Sequence, residues 1–228
     1  MVKAAAQEFD RFGYDGTSLS RISSVAGMSI GAVTFHFPTK VHLADAVQQE
    51  GREVTVAALE RLAEEPVSPL RMVIDLTLEL TRLMEQEPAV RAGIRLGRER
   101  PGTEAWSDAW LPTVRGLLDR AYENGQLRGD AQPADVTLLV EHLTGGAEAY
   151  LRRRMGSDPA LESAVAQLRR VWHLALVGVS AETAGVPRQA KPTERTAEEP
   201  AEGSAAKTAE EPAEGSAEKT AEEPAEQD

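Results

Sequence analysis

The sequence predicts an all-α protein, and three observations carry that reading. From Val2 to about Val179, glycine and proline punctuate the chain roughly every 10 to 25 residues, leaving runs of helical length between them. No stretch sustains the apolar-polar alternation, closed by turn dipeptides, that marks strands. Apolar residues recur instead three and four apart, the spacing that gives a helix one buried face.

Taken in order, Ala5, Ala6, Phe9 and Phe12 mark a first helix that ends at Gly13, where a C-terminal glycine is expected. After the turn "GYDG", Thr17 and Ser18 are good N-caps for a second helix with Leu19, Ile22, Val25 and Ala26 on its inner face, stopped by Gly27. Ser29 caps a very short third helix, "IGAVTFHF". Its Ile30, Val33 and Phe37 are spaced to face the core, which turns Gly31, Ala32, Thr34 and His36 outward. Pro38 and Thr39 end that segment and start a longer helix, about 39–62, with Leu43, Ala46 and Val47 and, beyond Gly51, Val54, Ala58, Leu59 and Leu62. Further segments are expected at about 68–86, 88–99, 107–124, 133–154 and 158–181, separated by Pro66 and Pro69, Pro88, "RPG", "GQLRGDAQP" and "GSDP", about nine helices in all. Pro112 requires the 107–124 segment to begin close to Trp110 or to bend there. The last two helices carry Leu138, Leu139, Leu143, Ala147 and Tyr150, then Leu161, Val165, Leu168, Trp172, Ala175 and Leu176. Such stripes suit an ordinary core, and also a four-helix interface between two subunits.

Composition narrows the function. With 228 residues, 41% of them hydrophobic, the chain can bury a substantial core. No window approaches the roughly 18 uninterrupted apolar residues of a membrane span, and "MVKAAAQEFDRFG" lacks a secretory apolar core, so a cytoplasmic protein with no membrane partner is expected. Cysteine is absent, and His36, His42, His142 and His173 are too scattered for a metal site. Neither HExxH, nor a Walker-type loop, nor GxSxG occurs, and no acid/base pair or nucleophile stands out. The expectation is therefore no catalytic residue, no metal, no cofactor and no enzyme.

The formal charge of −12 is unevenly spread. Residues 187–228 hold five basic and twelve acidic groups, a net of −7, which leaves −5 on residues 1–186. That tail repeats "TAEEPAEGSAAK" with a period of twelve from Thr196, Thr208 and Thr220. Alanine is the sole apolar residue in each copy, too little to offset the entropy of ordering, so residues 187–228 read as a disordered acidic tail. It is either a solvating extension or an acidic arm that tunes affinity.

Two helices joined by a short glycine-containing turn form a helix-turn-helix, whose second helix enters the DNA major groove; the same spacing also occurs as a plain helical corner. The small outward face of the third helix offers close backbone approach, a hydroxyl and thymine-methyl contact. The run "FDRFGYDGTSLSRISSVAGMSIGAVTFHFPTKVHLADAV" resembles the DNA-binding head of the TetR family of transcriptional repressors, and "AGMSIGAVTFHFPTK" is similar to the branch of γ-butyrolactone autoregulator receptors. The resemblance implies a head over residues 1–50, a ligand-binding and dimerisation domain over 51–186, and a homodimer on a palindromic double-stranded DNA operator, released by a small-molecule effector. It further implies phosphate contacts from Thr17 and Ser18, reading of base edges and adjacent phosphates by Ser29, Ile30, Gly31, Ala32 and Thr34, and phosphate contacts from His36 and Lys40. His36 and Lys40 have an alternative reading as ordinary packed or solvated side chains.

Family members begin with a short basic segment, whereas this sequence opens inside the first helix, and residues 1–40 carry a net charge of only +1. A start codon placed too far downstream is one expectation. A dimerising or ligand-sequestering module with impaired DNA binding is the other. For the effector, Trp106 and Trp110 lie close together, and Trp110 in "WLPTVRGLLDRAYENGQL" resembles the pocket tryptophan of the butyrolactone receptors. A core role for Trp110 is the competing reading.

Overall fold

A computed structural model describes residues 1–154 and 162–181. These form nine α-helices: α1 Val2–Phe12, α2 Leu19–Val25, α3 Ile30–His36, α4 Lys40–Ala63, α5 Pro69–Gln86, α6 Pro88–Glu99, α7 Leu111–Glu123, α8 Pro133–Arg154 and α9 Ala164–Val179. A 3₁₀ turn, Trp106–Ala109, precedes α7, so the segment expected at 107–124 is divided just before Pro112, which takes the first turn of α7 where its missing N–H costs nothing. Ser18, Ser29, Thr39, Ser68 and Ser163 each accept a backbone N–H at the start of a helix, satisfying a donor the helix leaves free. The start of the segment expected at 158–181, with Leu161, and all of the acidic tail lie outside the described residues.

The hydrophobic core has two main parts. Ala5, Ala6 and Phe9 of α1, Ile22 of α2, Val33 of α3 and Leu43, Ala44 and Val47 of α4 pack with Ala92 and Leu96 of α6. The α1–α4 head thus closes its core with a helix from the middle of the chain. Helices α5, α7, α8 and α9 bury Val73, Leu76, Leu80, Val114, Leu118, Val140, Leu168 and Trp172 in the other part. Trp172 Nε1 donates to Thr77 Oγ1 at 2.7 Å, so this buried indole keeps its hydrogen bond. The boundary expected near residue 50 falls inside the unbroken α4, and Met1–Pro187 cluster as one compact unit. At Gly51, α4 and α6 nearly touch: a Cβ there would lie 2.6 Å from the Ala89 carbonyl oxygen.

Three expected inner faces are different in the structure. Val25 is 51% and Ile30 47% exposed. Ile22 and Ser23 supply the covered face of α2, and Val25, the last residue of that helix, is left outside it. Ser29 makes Ile30 the first residue of α3, with no preceding turn for its side chain to lie over. On α8 and α9 the stripe read as a possible interface is largely internal: Leu168 and Trp172 are buried, with Leu139, Leu143, Ala175 and Leu176 packed against the same core. The apolar side chains left outside are Leu138, Val171, Leu174 and Val177, while α5 packs against both helices and α7 against α8.

Candidate nucleic-acid interface and effector cavity

Helices α2 and α3 are joined through Gly27, whose φ of +65° is a conformation that glycine adopts at little cost. Gly27 N–H and Met28 N–H donate to the carbonyls of Ser24 and Ser23, closing the end of α2 as the chain reverses. The Glu8 carboxylate of α1 pairs with Arg21 of α2, whose guanidinium also lies 3.7 Å from the Phe12 ring centroid. Both contacts fix α2 against α1. Arg21 is thus engaged by α1 while its side chain stays about half exposed.

Around this frame Ser18 is exposed at the start of α2, and on or beside α3 Ser29, Gly31 and His36 are exposed and Ala32 and Thr34 half-buried. Ser18 Oγ and Ser29 Oγ each accept an N–H at 3.1 Å, from Arg21 and Ala32, so both hydroxyls cap helices and point their own hydrogens elsewhere. Thr34 Oγ1 donates back to the Ile30 and Gly31 carbonyls, which leaves its lone pairs and methyl group outward. Thr17 and Lys40 are both engaged within the head. Thr17 is only 2% exposed and its hydroxyl donates to the Glu8 carbonyl at 3.2 Å, so it secures the α1–α2 junction and presents no hydroxyl to a phosphate. Lys40 is half-buried, with Nζ donating to the Tyr14 carbonyl at 3.0 Å and lying 4.1 Å from that ring's centroid. A phosphate contact by Lys40 therefore requires it to leave Tyr14. Phe35, 82% exposed on α3, was missed by the sequence reading although it stands opposite Val33 on the helix, a position the 3.6-residue period assigns to the outside.

A second feature lies beside α6. Ile94 and Gly97 of α6, Trp106, Trp110 and Glu141 and Thr144 of α8 line a cavity of about 320 Å³. The two indoles meet at 61° with centroids 5.8 Å apart. Trp106 Nε1 donates to Thr55 Oγ1, which itself donates to the Gly51 carbonyl. Trp110 is 3% exposed, and its Nε1 has no acceptor among the described residues. A buried N–H left without an acceptor costs about 1–3 kcal/mol, so any acceptor that reached this group would be favoured.

Helix α6 connects the two features. Its Ala92 and Leu96 complete the head core while its Ile94 and Gly97 face the cavity. Polar ties bind it further to the head: Arg91 pairs with Asp10 at 2.8 Å, Arg95 donates to the Asp10 carbonyl, and the Tyr14 N–H donates to Glu99 Oε2 at 2.6 Å. Burial pushes the Glu99 carboxyl up, but the hydrogen bonds from Arg95 and the Tyr14 N–H outweigh it and hold the group below the usual carboxylate range.

A capped helix-turn-helix on an all-helical body, with a tryptophan-walled cavity on the helix that closes the head core, gives a helix-turn-helix protein with a cavity of small-molecule size. Residues 1–47 match the bacterial regulatory proteins of the tetR family. The A-factor receptor protein of Streptomyces griseus is 30% identical over 149 residues, 64% of this chain and 51% of that protein; the match thus spans about half the length of this relative. A γ-butyrolactone receptor described as ArpA-like is similar in structure, with a TM-score of 0.63 and 27% identity over 80% of this chain and 87% of that one. The TetR family protein CprB of Streptomyces coelicolor, solved with its biological operator sequence, has a TM-score of 0.65 and 29% identity over 80% and 87% of the two chains. The chain belongs to the TetR family of regulators and is similar to the γ-butyrolactone receptors. Among the described residues no helix is long and apolar enough to cross a membrane.

Proposed function

We propose that this protein is a ligand-responsive transcriptional repressor that binds a palindromic DNA operator as a homodimer and is released by a small molecule. The effector is a γ-butyrolactone-like signal or an antibiotic or its intermediate, and the regulated genes belong to secondary metabolism. The observation that carries the reading is the Trp110 N–H, buried beside a cavity on the helix that completes the head core. A ligand supplying an acceptor there favours one position of α6, and α6 carries the head with it, so ligand and operator compete through one equilibrium. CprB with its operator supports the DNA partner, and the A-factor and γ-butyrolactone receptors support the effector class. Exposed Leu138, Val171, Leu174 and Val177 support a second copy packed on α8 and α9, with residues 1–50 as head and 51–186 as effector and dimerisation domain.

On the head, Ser18 and Ser29 present helix starts to phosphates and Ile30, Gly31, Ala32 and Thr34 face base edges, with His36 and Lys40 at flanking phosphates. Trp110→Phe keeps most of the buried ring and removes the N–H. Operator fragments are isolated by pull-down from genomic DNA, and release by a γ-butyrolactone is followed by gel shift. The variant should hold the operator like the parent and need at least about tenfold more lactone for release, the factor expected from one buried hydrogen bond. Equal release of both proteins would leave Trp110 as core packing alone.

The net charge of only +1 over residues 1–40 favours one second reading, a dimerising module that sequesters the ligand without useful DNA binding. Lactone binding without enrichment of any genomic fragment would decide for it.

A further inference from the structure

A larger cavity, about 470 Å³, lies where α1, α6 and α8 meet, and nothing in the repressor reading uses it. Its wall carries five guanidinium groups, from Arg11, Arg91, Arg95, Arg98 and Arg152. Against them stand three carboxylates, and all three are engaged. Asp10 accepts from Arg91 at 2.8 Å, Glu99 from Arg95 at 2.7 Å, and Glu148 from Arg98 at 2.9 Å with Arg152 at 3.7 Å. Arg11 has no carboxylate within ion-pair distance among the described residues, and its guanidinium lies 5.2 Å from the Phe12 ring centroid. Two positive charges are therefore in excess on a concave wall, within residues 1–186 whose net charge is −5.

Like charges gathered in a recess repel one another and concentrate counter-ions there, an effect that low-dielectric walls strengthen. Guanidinium forks match the geometry of phosphate and carboxylate oxygens, and the volume falls in the range of small-molecule sites. We propose that the cavity between α1, α6 and α8 binds a small multivalent anion carrying two or more phosphate or carboxylate groups. Arg11 and Arg152 are its principal contacts, because Arg11 has no carboxylate partner and Arg152 holds its own only at 3.7 Å; the Arg98 fork completes the site. The bound anion links α1 of the head to α8 of the body. This site shares Ile94, Arg98 and Glu148 with the tryptophan cavity but includes neither tryptophan, so it can be tested apart from the effector reading.

The test uses the full chain in sodium chloride at matched ionic strength, titrated calorimetrically with pyrophosphate and, separately, with citrate. Saturable binding of either anion is expected, with a rise in Tm as the folded state is favoured by mass action. Preference for pyrophosphate or for citrate tells phosphate from carboxylate chemistry. The double variant Arg11→Gln and Arg152→Gln changes two exposed side chains and should bind at least about tenfold more weakly, as expected for lost charge-assisted hydrogen bonds. Arg120→Gln, exposed on α7 and outside both cavities, should bind like the parent. The proposal is overturned if neither anion binds above the chloride control. It is equally overturned if the double variant binds like the parent, or if Arg120→Gln is the one that loses binding. None of these outcomes reads operator or lactone, so they leave the repressor reading untouched.

Discussion

Replacing Gly51 with alanine adds a single methyl group where α4 crosses α6. The new Cβ would lie 2.6 Å from the Ala89 carbonyl oxygen, 3.1 Å from its carbonyl carbon and 3.4 Å from Val90 Cα. A carbon approaches a carbonyl oxygen to about 3.3 Å at closest, so the helices must part by roughly 0.7 Å. Backbone on both sides cannot rotate away as a side chain would. Overpacking of this kind costs about 1–3 kcal/mol, while alanine in a helix interior returns about 1 kcal/mol over glycine, so the net expectation is a loss of about 0–2 kcal/mol. Gly116, exposed in α7, provides the control, since a Cβ there meets nothing within 4 Å. Gly116→Ala should stabilise by about 0.8–1 kcal/mol through the same helical preference without the clash. Urea unfolding of the two full-length variants at one protein concentration reads the difference. If Gly51→Ala stabilises as much as Gly116→Ala, α4 and α6 do not approach this closely, and coupling of head and cavity through that crossing is wrong.

Phe35→Ala should leave stability within about 0.5 kcal/mol of the parent, because the side chain is 82% exposed, yet weaken operator binding measurably; unchanged binding would remove Phe35 from the interface. Lys40→Ala should lower the salt slope of operator binding by about one unit, and an unchanged slope would mean that Lys40 stays on Tyr14 in the complex. The Glu99 carboxyl is held low in the folded protein, so its contribution to stability is fully present above the unfolded value of about 4.3 and is lost as pH falls through the lower folded value. Glu99→Gln should accordingly flatten the acid limb of the unfolding curve below about pH 4.3; a curve superimposable on the parent's would show that the Tyr14–Glu99–Arg95 tie is not formed. Deleting residues 187–228 should leave specific operator affinity unchanged, and a tightening would identify the tail as an acidic competitor.

The sequence by itself determined what short-range chemistry controls. Ser18, Ser29 and Thr39 cap helices because their oxygens reach an N–H three residues on, and that geometry requires no distant partner. Gly27 reverses the chain, Pro88 and Pro112 open helices, and apolar spacing places Phe9, Val33 and Leu43 inside for equally local reasons. Trp106 and Trp110 could be paired by closeness in the chain. Which face of each element is covered was decided by residues far away. Thr17 was turned inward by α1, and Lys40 was taken up by Tyr14, 26 residues earlier. Ile30 and Phe35 were left outside because only Val33 is fully enclosed on α3. Glu99 met Tyr14 across 85 residues and Trp172 met Thr77 across 95, and no periodicity encodes such pairs. The same holds for the Trp110 N–H: a lost acceptor is a property of everything packed around it, so only the tertiary structure could show it.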